Sequence, residues 1–112
     1  MSGAPVERPA VRVKGSGKGL PLEPLILEGE VDLANADEVL SDLLRQLETR
    51  ELGDDDPVVI DASGLTYFGS RGMWMLAQFR SRSGREVIVT GTPARMRRVF
   101  EISGLDQMFD LR

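Results

Sequence analysis

The chain has 112 residues, of which 41% are hydrophobic and 29% are charged, and this balance is typical of a single small globular domain. It contains no cysteine and no histidine, which excludes disulfides, thiol chemistry and histidine-dependent catalysis. The formal net charge is -4, whereas proteins that bind nucleic acid are normally basic, so nucleic acid is not expected as a partner.

The N-terminal part of the chain is rich in glycine, proline and charge. Residues 1–10 have no apolar core and are predicted to be a flexible tail and not a signal peptide. Residues 11–14 alternate apolar and polar side chains, as in a short strand, and the glycine-rich residues 15–19 are predicted to be a turn. The longest uncharged apolar run, residues 73–79, is too short to span a bilayer. We therefore expect a soluble cytoplasmic protein without membrane insertion.

The next segments predict a strand followed by a helix. Residues 25–27 read as a buried strand, and the helix is expected to run from Asn35 to Thr49 as the longest in the protein. Asn35 is the predicted N-cap, and Glu38 would complete a capping box with it. The apolar stripe of this helix has helical spacing and comprises Ala36, Val39, Leu40, Leu43, Leu44 and Leu47.

The second half of the chain continues the alternation of strands and helices. Residues 58–60 predict a central parallel strand, residues 64–72 a loop, residues 73–79 a helix and residues 86–90 another strand. Thr92 and Pro93 are expected to start a last helix that ends at Gly104, and residues 105–111 to form a helical turn or an edge strand. The alternation predicts an α/β sandwich in which a four- or five-stranded mixed sheet packs against helices.

Four segments resemble the STAS domain family, and in particular its anti-sigma factor antagonists. They are LEGEVD at residues 27–32, VVIDASG at 58–64, YFGSRG at 67–72 and TPARMRRVFEISGL at 92–105. Each segment is weak evidence alone, but the four occur in the order and at the spacing of the family. The resemblance implies a STAS domain over residues 11–112.

The resemblance also implies a switch that works by protein binding. An unphosphorylated antagonist of this family binds an anti-sigma factor that is also a GHKL-type serine kinase, and the sigma factor is released. The kinase then phosphorylates a serine, which corresponds to Ser70 here, and the complex dissociates. The chain departs from the family at two positions, because Gly69 replaces an aspartate and Arg71 replaces a second serine or threonine. Arg71 could hold the phosphate, or it could select another partner.

The predicted partner-binding residues fall in two segments. The first comprises Gly69, Ser70, Arg71, Gly72, Met73 and Trp74, and the second comprises Glu30, Asp32 and Asn35. Each has a simpler interpretation, with Ser70 as a helix cap, Met73 and Trp74 as core residues, and the acidic residues as a solvated turn. The arginines near residues 80–85 and 95–98 are read as solvated helix faces and not as a nucleic-acid patch.

Two alternatives to the phosphorylated switch stay open. The chain could be a STAS interaction subunit that is never phosphorylated, either as a constitutive antagonist or as a partner of an ABC-type transporter. A weak homodimer is also compatible with the sequence. No enzymatic activity, cofactor or metal is expected, because a catalytic serine would have no histidine to activate it.

Overall fold

The computed structural model describes residues 12–14, 24–50 and 52–112. The predicted flexible tail and the glycine-rich turn at residues 15–19 lie outside the described residues. The strands are β1 (Arg12–Lys14), β2 (Leu25–Val31), β3 (Val58–Phe68), β4 (Val87–Thr90) and β5 (Asp110–Leu111). The helices are α1 (Ala36–Glu48), α2 (Ser70–Ser83) and α3 (Ala94–Ser103), followed by a short 3₁₀ turn at Leu105–Gln107.

The strands form one sheet in the order β1-β2-β3-β4-β5. Strands β2 to β5 are parallel to their neighbours, and the three-residue β1 pairs antiparallel with β2 at the edge. The α/β arrangement expected from the sequence is therefore present, as a parallel sheet whose mixed character is confined to β1. Successive parallel strands are connected through helices, as the βαβ rule requires.

Strand β3 is much longer than its sequence suggests. The segment 64–72 was expected to be a loop, but the strand continues to Phe68, because Gly64, Leu65, Tyr67 and Phe68 pair with the second half of β2. The pairing contains two irregularities, after Ile26 and after Gly29. Pairing with the neighbouring strand β2 has overridden the weak local strand propensity of a segment that contains three glycines.

Helix α2 begins at Ser70, as soon as β3 ends, and not at Met73 as expected, so it is longer than the sequence predicts. It has 14 residues, whereas α1 has 13, so α1 is not the longest helix. Helix α3 ends at Gly104 as predicted, where the backbone adopts φ +80, a conformation that glycine tolerates best. Its predicted start is wrong by one residue, because Pro93 and not Thr92 is the N-cap and the helix begins at Ala94.

One face of the sheet supplies the core. Alternate side chains of β2, β3 and β4 are buried, and α1 and α2 pack against each other over them. The largest fully buried side chains are Phe79, Phe100, Leu25, Leu27, Leu43, Ile60, Met75, Leu76, Val31, Val87 and Val89. Within the described part of the chain, no charged or polar residue is buried in this core.

Three aromatic rings connect α3 to the rest of the domain. Phe100 lies between Phe68 at the end of β3 and Phe109 next to β5, with ring centroids 6.2 Å and 5.5 Å away. Beyond them, Arg112 donates from Nη2 to the Asp110 carboxylate at 2.8 Å, and this hydrogen bond lowers the pKa of Asp110. The end of the chain is held against β4 by two backbone hydrogen bonds, in which the Arg112 N–H donates to the Val89 carbonyl at 2.8 Å and the Gly91 N–H donates to the Arg112 carbonyl at 3.0 Å.

Phe100 is fully buried at the centre of this aromatic row, so its removal should be costly. We expect Phe100→Ala to lower the free energy of unfolding by about 3–5 kcal/mol, through lost burial and the cavity left behind. Ile102 is 77% exposed on the same helix, and Ile102→Ala should change stability by no more than about 0.5 kcal/mol. Urea unfolding followed by circular dichroism measures both, and equal effects would contradict the packing described.

Candidate functional site

The site begins where β3 turns into α2. Gly69 is the N-cap residue of α2 in an extended conformation, and its carbonyl oxygen accepts hydrogen bonds from the N–H groups of Gly72 and Met73 at 2.9 Å and 3.2 Å. Ser70 is the first helical residue, so the interpretation of Ser70 as the helix cap is wrong. Its side chain is exposed, and among the described residues its hydroxyl has no hydrogen-bond partner. The helix start therefore presents a free hydroxyl to solvent.

A hydrogen-bonded turn connects β2 to α1. Asn35 donates from Nδ2 to the Glu30 carbonyl at 2.8 Å and accepts from the Asp32 N–H at 2.9 Å. The Asp32 carboxylate accepts from the N–H groups of Ala34 and Asn35 at 3.0 Å and 3.2 Å. Asn35 is the N-cap by position, but it makes no side-chain cap bond, so the predicted capping box is not formed. Its side chain instead locks the turn that precedes the helix.

The two segments lie side by side. Glu30 pairs with Tyr67 and Val31 with Phe68, and the Gly69 N–H donates to the Val31 carbonyl at 3.2 Å. Adjacent parallel strands end at the same edge of the sheet, so the turn after β2 and the start of α2 must meet there. The structure thus brings the two predicted groups of site residues together.

Arg71 and Trp74 form the exposed flank of α2. The Arg71 guanidinium carbon lies 4.1 Å from the centroid of the Trp74 ring, and Arg71 Nη2 is 3.9 Å from Asp37 Oδ1 on α1. Trp74 is 36% exposed, so the interpretation of this side chain as part of the core is wrong. The stacking contributes about 0.5–1 kcal/mol at an exposed position, and the long ion pair contributes less than about 1 kcal/mol. Arg71 is therefore held weakly and can exchange partners.

Met73 and Gly72 do not contribute a contact surface. Met73 is only 4% exposed and belongs to the core, and Gly72 is buried against the Phe68 ring. A Cβ atom at position 72 would lie 2.8 Å from Phe68 Cε1. Their assignment as partner-binding residues is corrected accordingly, because both pack inward and hold α2 close to β3.

Two exposed side chains at the site were not singled out from the sequence. Leu33 is 79% exposed in the turn between Asp32 and Asn35, and Tyr67 is 53% exposed beside Gly69. An apolar residue in the middle of a polar turn was a signal that could have identified Leu33. Tyr67 carried no such signal, because its exposure depends on β3 extending through a segment that reads as a loop.

The composition of the site suits binding better than metal chemistry. Exposed apolar side chains, Leu33 and Trp74, lie among charged neighbours, an arrangement common in protein interfaces. Over residues 24–50 and 52–112, no group of histidine, cysteine or acidic residues could hold a metal ion. In the same part of the chain, no helix has the length and apolar character needed to cross a membrane.

Comparison with known proteins agrees with this geometry. A family profile described as "Mlab, STAS domain" matches residues 23–111, so the chain belongs to the STAS domain family. The fold is similar to that of an anti-sigma factor antagonist from Mycobacterium paratuberculosis, with 24% sequence identity, a TM-score of 0.63, and coverage of 91% of this chain and 83% of that chain. No curated protein matches the sequence. At this identity the similarity establishes the fold.

The close approach of α2 to β3 predicts an unusual effect of a helix-favouring substitution. Alanine is about 1 kcal/mol better than glycine in a helix interior, yet we expect Gly72→Ala to destabilise the domain by about 1–3 kcal/mol. The added methyl group would displace the Phe68 ring, which also packs against Phe100. Ser81→Ala, at an exposed position of the same helix, is the control and should be neutral or slightly stabilising. Thermal unfolding that shows Gly72→Ala to be more stable than wild type would contradict this contact.

Proposed function

We propose that the protein is an anti-sigma factor antagonist that binds an anti-sigma factor of the GHKL-type serine kinase class and thereby releases a sigma factor. It acts in the cytoplasm as a regulator of transcription, by binding and not by catalysis. The observation that carries the proposal is the exposed Ser70 hydroxyl at the start of α2, next to the turn formed by residues 32–35. This is the position that corresponds to the phosphorylated serine in the resemblance to the family.

The surface around Ser70 has the properties of a docking site. Leu33 and Trp74 provide exposed apolar area, and a partner that covers them gains about 25 cal/mol for each Å² of apolar surface removed from water. Glu30 and Asp37 are exposed and acidic near this area, and Arg71 supplies one cation. This charge pattern favours a partner with a mainly basic face, since complementary charge sets orientation and association rate.

Phosphorylation of Ser70 would act on this surface electrostatically. A phosphate adds about -1.5 to -2 charges and would meet the unpaired N–H groups at the start of α2. It would also compete with Asp37 and the Trp74 ring for Arg71, which those two hold weakly. The partner would then face a buried negative charge and a rearranged Trp74, and binding would weaken.

The departure at Gly69 bears on how fast such a phosphorylation would be. No carboxylate stands directly before Ser70, and the space that a side chain would use is partly occupied by the Tyr67 hydroxyl, 2.8 Å from an added Cβ atom. Because Tyr67 is an exposed, movable side chain and the Gly69 backbone is extended, an aspartate can be accommodated there. Restoring it is therefore a feasible test.

The same departure favours a second candidate function. With Gly69 in place of the aspartate and Arg71 already stacked on Trp74, the chain would serve as a STAS interaction subunit that is never phosphorylated. It would then be a constitutive antagonist or the partner of an ABC-type transporter. The constitutive antagonist differs from the phosphorylated switch only in the Ser70 chemistry, whereas the transporter subunit also differs in its partner.

The docking surface can be tested without disturbing the fold. Leu33→Ser and Trp74→Ala remove exposed apolar area, and each should weaken binding to the cognate GHKL-type kinase about tenfold or more. Ile102→Ser removes an apolar side chain of α3 that is as exposed as Leu33, at 77% against 79%, and it is the control for which no change is expected. Isothermal titration calorimetry with candidate kinases provides the affinities. If the three variants bind alike, the partner docks elsewhere.

The switch itself is tested with variants of Ser70. Ser70→Ala should bind the kinase and persist in the complex when ATP is added, whereas Ser70→Glu should bind more weakly than wild type, because a carboxylate partly imitates a phosphate. Ser81→Glu, one exposed charge further along α2, controls for charge alone. Gly69→Asp should accelerate phosphate incorporation at Ser70, measured by mass spectrometry of the intact protein. A kinase that binds wild type but leaves Ser70 unmodified, together with full binding by Ser70→Glu, would establish the unphosphorylated alternative.

A further inference from the structure

A cleft of about 470 Å³ opens between the end of β3 and the first turns of α3. Its wall is mostly apolar, with Phe68, Met96 and Val99 among the lining residues, and Tyr67 and Arg95 also line it. The volume lies within the range of about 300–1,000 Å³ that is usual for small-molecule sites. Tyr67 and Phe68, which line the cleft, directly precede Gly69 and Ser70, and the proposed function does not use the cleft.

We propose that this cleft binds a small amphipathic carboxylate, whose apolar part lies against Phe68, Met96 and Val99 and whose carboxylate pairs with Arg95. The apolar part is suggested by surface that the chain leaves uncovered, since Val99 is 38% exposed and Tyr67 is 53% exposed. Covering such surface is favourable for any apolar ligand.

The anionic group follows from the charge of α3. The chain as a whole is acidic, with a net charge of -4, yet Arg95, Arg97 and Arg98 lie together on this helix. Arg95 lines the cleft, and it has no ion-pair partner among the residues that the structure describes. A guanidinium group pairs with a carboxylate through two parallel hydrogen bonds, which makes a carboxylate a better match than a neutral polar group.

The cleft is connected mechanically to the Ser70 segment. Phe68 lines the cleft and packs against Phe100 in a tilted arrangement with ring centroids 6.2 Å apart. It also lies against Gly72, where an added Cβ atom would be 2.8 Å away. Tyr67 lines the cleft as well, and its hydroxyl lies next to Gly69. A ligand that shifts either ring therefore acts on the residues that flank Ser70. Binding in the cleft does not depend on the proposed function, whereas its use to regulate partner binding rests on that function.

Octanoate and 1-octanol are suitable probes, because they share a chain and differ in the charged group. Titration of the labelled protein with octanoate should give saturable shifts of the amide signals of residues 65–68 and 95–99 in ¹H–¹⁵N spectra. The amides of Gly69, Ser70 and Gly72 should shift in the same titration if the two rings transmit the change.

Matched substitutions on α3 separate the cleft from the rest of the surface. Val99→Trp should fill the cleft and lower the affinity for octanoate about tenfold or more, whereas Ile102→Trp, at an exposed position outside the cleft, should have no effect. Arg95→Gln should lower the affinity for octanoate about tenfold and leave the affinity for 1-octanol unchanged. Arg98→Gln should change neither affinity.

The outcomes distinguish the parts of the proposal. Absence of saturable octanoate shifts, or equal effects of the Val99 and Ile102 substitutions, would overturn the binding site. If Val99→Trp does not fold, the comparison of Arg95→Gln with Arg98→Gln, both at exposed positions, still shows whether Arg95 holds the carboxylate. Shifts confined to the cleft, with Gly69, Ser70 and Gly72 unaffected, would overturn the connection to Ser70 alone. None of these measurements requires the kinase partner, so their failure is separate from failure of the proposed function.

Discussion

The parallel pairing of β2 with the full length of β3 is the constraint on which the rest of the structure depends. Because the second half of β2 pairs with residues 64–68, the two strands end at the same edge of the sheet, and the Gly69 N–H bonds to the Val31 carbonyl. Both α1 and α2 must then start at that edge. The turn at residues 32–35 and the hydroxyl of Ser70 are neighbours for this reason, although they are far apart in sequence.

The close packing of Phe68 against Gly72 connects the core with the surface around Ser70. Because Gly72 has no side chain, α2 approaches β3 closely. Met73 then lies in the core, whereas Ser70 and Trp74 on the same helix stay exposed. The same ring packs against Phe100 and lines the cleft beside α3. One aromatic side chain thus borders the core, the Ser70 segment and the cleft.

Arg71 is the cation next to Ser70, and it has more than one partner within reach. Arg71 stacks on Trp74 and lies 3.9 Å from Asp37, and neither contact is strong at an exposed position. A cation in this state costs little to redirect, whether to a phosphate on Ser70 or to an acidic group of a partner. Arg71, which stands where the family has a hydroxyl residue, is accommodated at the start of α2 without a change of fold.

The order of strands and helices, the end of α3 at Gly104, the apolar stripe of α1 and the STAS family could all be predicted from the sequence. They depend on periodicity, a helix-ending glycine and four segments in a known order. The extension of β3 to Phe68 could not, because it results from pairing with β2 and not from the propensity of residues 64–68. For the same reason the exposure of Tyr67 was decided only by tertiary structure, and the burial of Met73 likewise depends on the packing of α2. A local pattern states which residues are apolar or charged, but which side of a helix faces the sheet is set by the neighbours against which it packs.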